Sequence, residues 1–235
     1  MKIILHLLLI LLIILLIPTM AHAGDFHPEA TPALEQNLIW VEASSKSDSE
    51  DYFLEFRVWF TQPAEKVFKL LTDTMGFKNK MTNYKDTRTL TQKLYKEILN
   101  AKPKNPAEVV TLIGQNRISS HHNRQKNSHW NDYTYLHFNF PWPLTDRWAV
   151  QKVDIDETNA HKGEYKYTYE TKLGNFKKLD GQWEIVPITG HSDWTEFRGF
   201  YKSNPGIPVP KFVTKKVMKA SFKKEMDANR RLLQK

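Results

Sequence analysis

Between Tyr52 and Phe60 the chain alternates: Tyr52, Leu54, Phe56, Val58 and Phe60 are apolar, and Phe53, Glu55, Arg57 and Trp59 fall between them. A period of two places one set on one face of a strand and predicts a sheet with a buried side. Thr61-Gln62-Pro63 then supplies a cap and a proline tolerated in a first helical turn. Ala64, Val67, Phe68 and Leu71 recur at helical spacing as far as about Asp73. Alternation returns at Tyr133 to Phe140, with Thr134, Leu136, Phe138 and Phe140 on one face, and stops at the turn Pro141-Trp142-Pro143. Four more strand-like runs follow at 148–155, 165–171, 182–188 and 194–201. Turn material between them, such as Asp180-Gly181 and Thr189-Gly190, predicts hairpins and an antiparallel meander.

Other stretches are less regular. Residues 24–33 have no period, and 24–49 read as a lead-in to one domain over 50–235. Short helical runs at Leu94–Leu99 and Ala107–Ile113 lie between polar breaks at 102–106 and 121–127, so about 93–130 reads as a variable insertion. The chain closes in a helical run from Lys211 to about Leu233. On it Val213, Val217, Met218, Ala220, Ser221 and Phe222 spread over a wide apolar arc, opposite a stripe of Lys215, Lys219 and Lys223. A β-rich middle closed by a long amphipathic helix is an α+β plan. An apolar arc wider than one packing seam leaves surface with which to line a pocket.

Composition adds an address and removes several chemistries. Ile3 to Ile17 is all Ile or Leu except His6, and Pro18 and Ala21-His22-Ala23 follow, the layout of a signal peptide cleaved after Ala23. An uncleaved anchor is the other reading of this run. The expectation is an exported protein, periplasmic if the host is bacterial and otherwise secreted. The absence of cysteine excludes disulfides, thiolate metal sites and a Cys nucleophile. With 13 Phe, 9 Tyr and 7 Trp the chain can bury large rings, so a folded body is expected. The formal net charge is +8, with six Lys and no acid between Lys211 and Lys224. That face reads either as a dock for an anionic membrane surface or as a solvated helix face. No nucleic-acid recognition module is evident.

Several segments are similar to those of START-type lipid-binding domains of the SRPBCC superfamily. Phe140-Pro141-Trp142-Pro143-Leu144-Thr145-Asp146-Arg147-Trp148 resembles that family's proline-tryptophan-proline, aspartate-arginine segment. Gly181-Gln182-Trp183-Glu184-Ile185, followed by Ser203-Asn204-Pro205-Gly206-Ile207-Pro208 and a basic helix, resembles its closing strands and last helix. Thr61 to Val67 is similar to its approach to the first helix. Ser203-Asn204 departs from the pattern, standing where an acid is more usual. The resemblance implies a helix-grip fold, an antiparallel sheet wrapped around the long C-terminal helix with an elongated apolar cavity between them. It also implies a carrier or sensor of a hydrophobic, lipid-like ligand, with no cofactor. Polyketide cyclases and aromatases share the architecture, so an enzyme using the same cavity is the alternative, and a protein-interaction module working through 93–130 is a third.

The candidate ligand contacts are Phe140, Trp142, Arg147, Tyr167, Trp183, Trp194, Val213, Val217 and Phe222, and the candidate membrane contacts are Lys215, Lys219 and Lys223. Trp142, held between two prolines, is either a cavity wall or a core cap. Arg147 either holds a polar head group or pairs with Asp146, Glu184 or Glu196. Trp59, Tyr169 and Phe200 join the aromatic set, as stacking surfaces or as ordinary core. Signs of catalysis are weak. His121, His122 and His129 lack a metal-ligand spacing, Asp154 and Asp156 read as exposed, and there is no G-x-S-x-G or phosphate loop.

Overall fold

The alternation at Tyr52–Phe60 becomes a nine-residue strand whose even-numbered apolar residues are all buried. It belongs to a computed structural model that describes residues 30–46, 49–80, 83–115, 118–140 and 146–234. The chain divides into two units, Met1–Thr31 and Pro32–Lys235, and the fold is that of the second. The export segment, 1–23, lies outside the described residues.

The first half holds α1 (Thr31–Asn37), β1 (Ile39–Ser45), β2 (Tyr52–Phe60), α2 (Ala64–Leu71), α3 (Thr74–Lys80) and β3 (Tyr84–Thr89). Two helices follow, α4 (Gln92–Ala101) and α5 (Pro106–Ile113), then β4 (His129–Phe138) and β5 (Arg147–Asp156). The chain ends with β6 (Tyr165–Gly174), β7 (Lys178–Ile188), β8 (His191–Asn204) and α6 (Lys211–Leu233). One antiparallel sheet runs in the order β1-β2-β8-β7-β6-β5-β4-β3. It is a meander from β3 to β8 whose last strand turns back to pair with β2. Three helix starts have a local reason: Thr91 and Asn105 accept from backbone amides of α4 and α5, and Pro63 precedes α2.

The structure corrects two expectations. Ile39–Ser45, inside the supposed lead-in, is the edge strand, paired from Ile39↔Val58 to Ser45↔Tyr52. Asp180-Gly181 lies inside β7, and the chain turns between Gly174 and Lys178 instead. Gly181 stands opposite Tyr169, and a Cβ there would meet the Tyr169 ring at 2.6–2.7 Å. Gly199 stands opposite Trp183, and a Cβ on it would meet backbone at 2.3 Å. Both glycines make room for a close approach within the sheet; neither turns the chain.

The two helical runs expected within 93–130 form as α4 and α5. On β4, Tyr133 and Tyr135 face away from Leu136 and Phe138, and with Trp148 and Val150 of β5 they meet Leu94, Tyr95, Ile98, Val109 and Ile113. α4 and α5 therefore cover the back of the sheet with a second core. On the other face Phe56, Phe197 and Phe222 pack together, with ring centroids 4.7 and 4.6 Å apart about Phe56.

Candidate functional site

α6 buries Thr214, Met218, Phe222, Met226 and Asn229, a row at helical spacing, and packs against β1, β2 and α2. A second row on the same side, Val217, Ser221 and Glu225, borders a hollow between helix and sheet. The cavity offers about 210 Å³ to the centres of water-sized groups. On that measure one water needs about 10–15 Å³, so roughly a dozen or more such groups fit. The inward positions of β3 to β8 supply the opposite wall, among them Leu136, Gln151, Leu179 and Tyr201.

The wall is largely aromatic. Tyr167 stacks on Trp183 at 4.1 Å, and Phe197 meets Trp183 edge-on at 5.2 Å. A second group gathers about Phe138, which stacks on Phe140 at 5.2 Å and takes Phe176 on its edge at 5.5 Å. Tyr84 joins it at 5.2 Å. Such rings form a rigid apolar lining with few freely rotating bonds to freeze when a ligand enters.

Polar groups on the lining are few. Gln151 donates through Nε2 to Thr171 Oγ1 at 3.2 Å. Thr214 is buried, and its Oγ1 has no hydrogen-bond partner among the described residues. Burial holds the phenols of Tyr84, Tyr167, Tyr169 and Tyr201 above their ordinary range, which keeps them neutral. Arg147 is 9% exposed at the start of β5, and burial draws its guanidinium below its usual range. Burial pushes the Glu225 carboxyl up to about 7.

Six of the nine sequence candidates border this cavity: Phe140, Arg147, Tyr167, Trp183, Val217 and Phe222. Tyr169 and Phe200 do too. Trp142 lies outside the described residues. Trp194 does not line the cavity: it meets Trp59 edge-on at 6.2 Å and His191 at 4.8 Å. Trp194 belongs to the strand set that points away from Phe56 and Phe197, the set in which Trp59 pairs with Glu196; Phe200 shares that parity and still borders the cavity. Val213, half-buried one turn before Val217 on the same row, does not line the cavity, and Ala220 is exposed. Of the carboxylates offered to Arg147, Glu196 binds Arg57 at 2.7 Å and Glu184 binds Arg198 at 2.6 Å, on that same outward face. Asp146 pairs with Lys85, lies 3.6 Å from His137 and also acts on Arg147 through its charge.

The stripe lysines lie along the β1 side of α6. Lys219 reaches Glu42 at 3.2 Å, Lys215 is half-buried and Lys223 is exposed. Asp154 pairs with His129, and Asp156 accepts from the Thr158 amide at 2.9 Å, both away from the cavity. His121 lies against Phe68, its Nε2 2.5 Å from Thr72 Oγ1. The 93–130 stretch contributes no lining residue among those described.

Sequence reasoning missed Glu225, Tyr84, Phe197 and Tyr201. For Glu225 the signal was present: it follows Val217 and Ser221 at steps of four, on the apolar arc.

No protein-family model matches the chain, and no curated protein does. Solved structures do. The STAR-related lipid transfer protein (fragment 25-204) from Xanthomonas axonopodis superposes with a TM-score of 0.56 at 18% identity, over 85% of this chain and 95% of that one. Human StAR-related lipid transfer protein 5 gives 0.54 at 8% identity, over 84% and 83%. Human STARD10 gives 0.51 at 13%, over 82% and 69%. At these identities the likeness is one of fold, and the chain has the START-type helix-grip α+β fold.

Proposed function

We propose that this protein binds one hydrophobic, lipid-like molecule between the sheet and α6 and serves, once exported, as its carrier or sensor at a membrane face. The observation that carries this reading is the hollow itself, walled by stacked rings and roofed by one helix. A domain built only for packing would close such a space, since unfilled apolar volume costs stability. Burying about 300 Å² of ligand at about 25 cal/mol per Å² gives roughly 7 kcal/mol before the costs of association. The structural neighbours named as lipid transfer proteins support the ligand class.

Docking belongs to the start of α6. Phe212 is 72% exposed there, among Lys211, Lys215 and Lys216, so one apolar side chain stands in a basic surround. That arrangement suits an anionic lipid surface. Native mass spectrometry of the protein purified from its own host tests the proposal. A single hydrophobic species carried at equal stoichiometry is expected, and a protein that emerges empty and takes up no lipid from vesicles would end it. Chemical conversion of the bound molecule during incubation would replace the carrier reading with an enzyme.

A further inference from the structure

Glu225 is an acid in the wrong surroundings. It lies on the Val217-Ser221-Glu225 row of α6 that borders the cavity, whereas Lys223 and Lys224 of the same turn are exposed. Around it the cavity presents tyrosines from three strands, Tyr84 of β3, Tyr169 of β6 and Tyr201 of β8, each of which feels its charge. Among the described residues its carboxyl takes no hydrogen bond and no ion pair, and burial alone acts on it. Met218 and Met226, close by on the helix, show what this space accepts when only packing is needed. Glu225 is half-buried, its carboxyl set against the apolar lining, and an unpartnered acid so placed costs stability unless it stays protonated or finds a donor.

We propose that Glu225 is a specificity-determining residue of the cavity, selecting amphiphiles whose apolar body presents a hydrogen-bond donor, an alcohol or a protonated amine, to its carboxyl. This rests on the lipid-binding reading and deepens it. The donor satisfies a group that the protein leaves unsatisfied, so selectivity comes from removing a penalty as well as from adding a contact. Thr214, buried on the same face and also unpartnered, lies eleven residues earlier. At 1.5 Å per residue that is about 16 Å along the axis, so a long ligand can meet both. An anionic head beside Glu225 would face a like charge once the acid ionised.

The two donor chemistries separate by pH. The groups that feel the charge of Glu225 across the cavity are Tyr84, Tyr169 and Tyr201, and the other titratable lining groups are Tyr167 and Arg147; the phenols are all held above their ordinary range and Arg147 is drawn down from a very high one. On its own helix Lys223 and Lys224 are exposed and Asp227 lies 3.8 Å from Arg230. Among the described lining residues, Glu225 is therefore the group placed near neutrality. An alkylammonium binds the carboxylate, so its affinity rises as pH increases through about 7. An alcohol is held by either form and shows a shallow profile.

The test uses the full-length chain with N-phenyl-1-naphthylamine as a fluorescent occupant of the cavity, displaced in turn by hexadecanol, hexadecylamine and palmitate. For the unchanged protein, the alcohol or the amine should displace the probe at least about tenfold more readily than palmitate, the size expected of one hydrogen bond to a charged or buried partner. Glu225→Leu should erase that preference while still binding the probe, and Glu225→Gln should erase the amine's pH dependence and keep part of any preference for the alcohol. Equal displacement by all three, or a preference unchanged in Glu225→Leu, overturns the assignment and leaves the cavity standing. Failure of the unchanged protein to bind the probe overturns the cavity reading, and this inference with it.

Discussion

Glu225 makes the stability of the empty protein depend on pH. Its folded carboxyl titrates at about 7 against an ordinary value of 4.5, so between those values the folded state holds a proton that the unfolded chain has released. Stability must then fall as pH rises through this window, by on the order of 2–3 kcal/mol, and level off above it. Urea titrations from pH 4.5 to 8 should show the decline, and Glu225→Gln should lack that share of it. His121 and His137, both held below their ordinary range by burial, act in the opposite sense on the acid side and cancel in the comparison of the two proteins. The paired glycines are a second matter at this scale. Gly199→Ala drives a methyl against fixed backbone at 2.3 Å and should cost roughly 2–4 kcal/mol in chemical denaturation. Gly181→Ala meets only the Tyr169 ring, which can swing toward the cavity, so it should cost less stability and more ligand capacity.

Among the elements, α6 has two duties that its sequence displays unequally. The buried row Thr214-Met218-Phe222-Met226 holds the helix down and borders the hollow on one side, and the less buried row Val217-Ser221-Glu225 borders it alongside. Ser221→Phe should therefore fill the hollow from a half-buried position. The expected result is a melting temperature equal to or above that of the parent, with no lipid retained in native mass spectra; retained lipid would place the binding site elsewhere. The strands were legible wherever large apolar residues alternate, as in β2 and β4, because a period of two is a local property of the chain. β3 was not legible: YKDTRT carries no apolar alternation, and as an edge strand it lies alongside β4 with Arg88 bound to Asp86 at 3.1 Å. β1 does alternate, at Ile39, Val41 and Ala43, but its side chains are too few and small to stand out from the polar residues that follow.

For the whole molecule, binding and docking occupy different parts of one architecture. The cavity lies on the α6 side of the sheet, α4 and α5 close its back, and Phe212 with its lysines marks one end of the roof. If docking is electrostatic, raising salt from 50 to 500 mM should release the protein from vesicles rich in anionic lipid. Cavity occupancy by the naphthyl probe should stay the same. Reversing Lys211 and Lys216 to Glu should mimic the salt effect, and binding to neutral and anionic vesicles alike would remove the basic helix from the mechanism.

The residues themselves determined the alternation of β2 and β4, the amphipathic character of α6 and an apolar surplus large enough to line a pocket, since these depend on neighbours within a few positions along the chain. Whether Trp183 or Trp194 meets the hollow was a matter of strand register, and whether 93–130 borders the site or backs the sheet depended on which face of β4 it covers. Only the tertiary structure decided these. It also turned Glu225 from one more charge at the end of a lysine run into a half-buried acid set against a lining of rings. Its titration is governed by surroundings drawn from strands more than twenty residues away in the chain, and no local pattern encodes a dielectric environment.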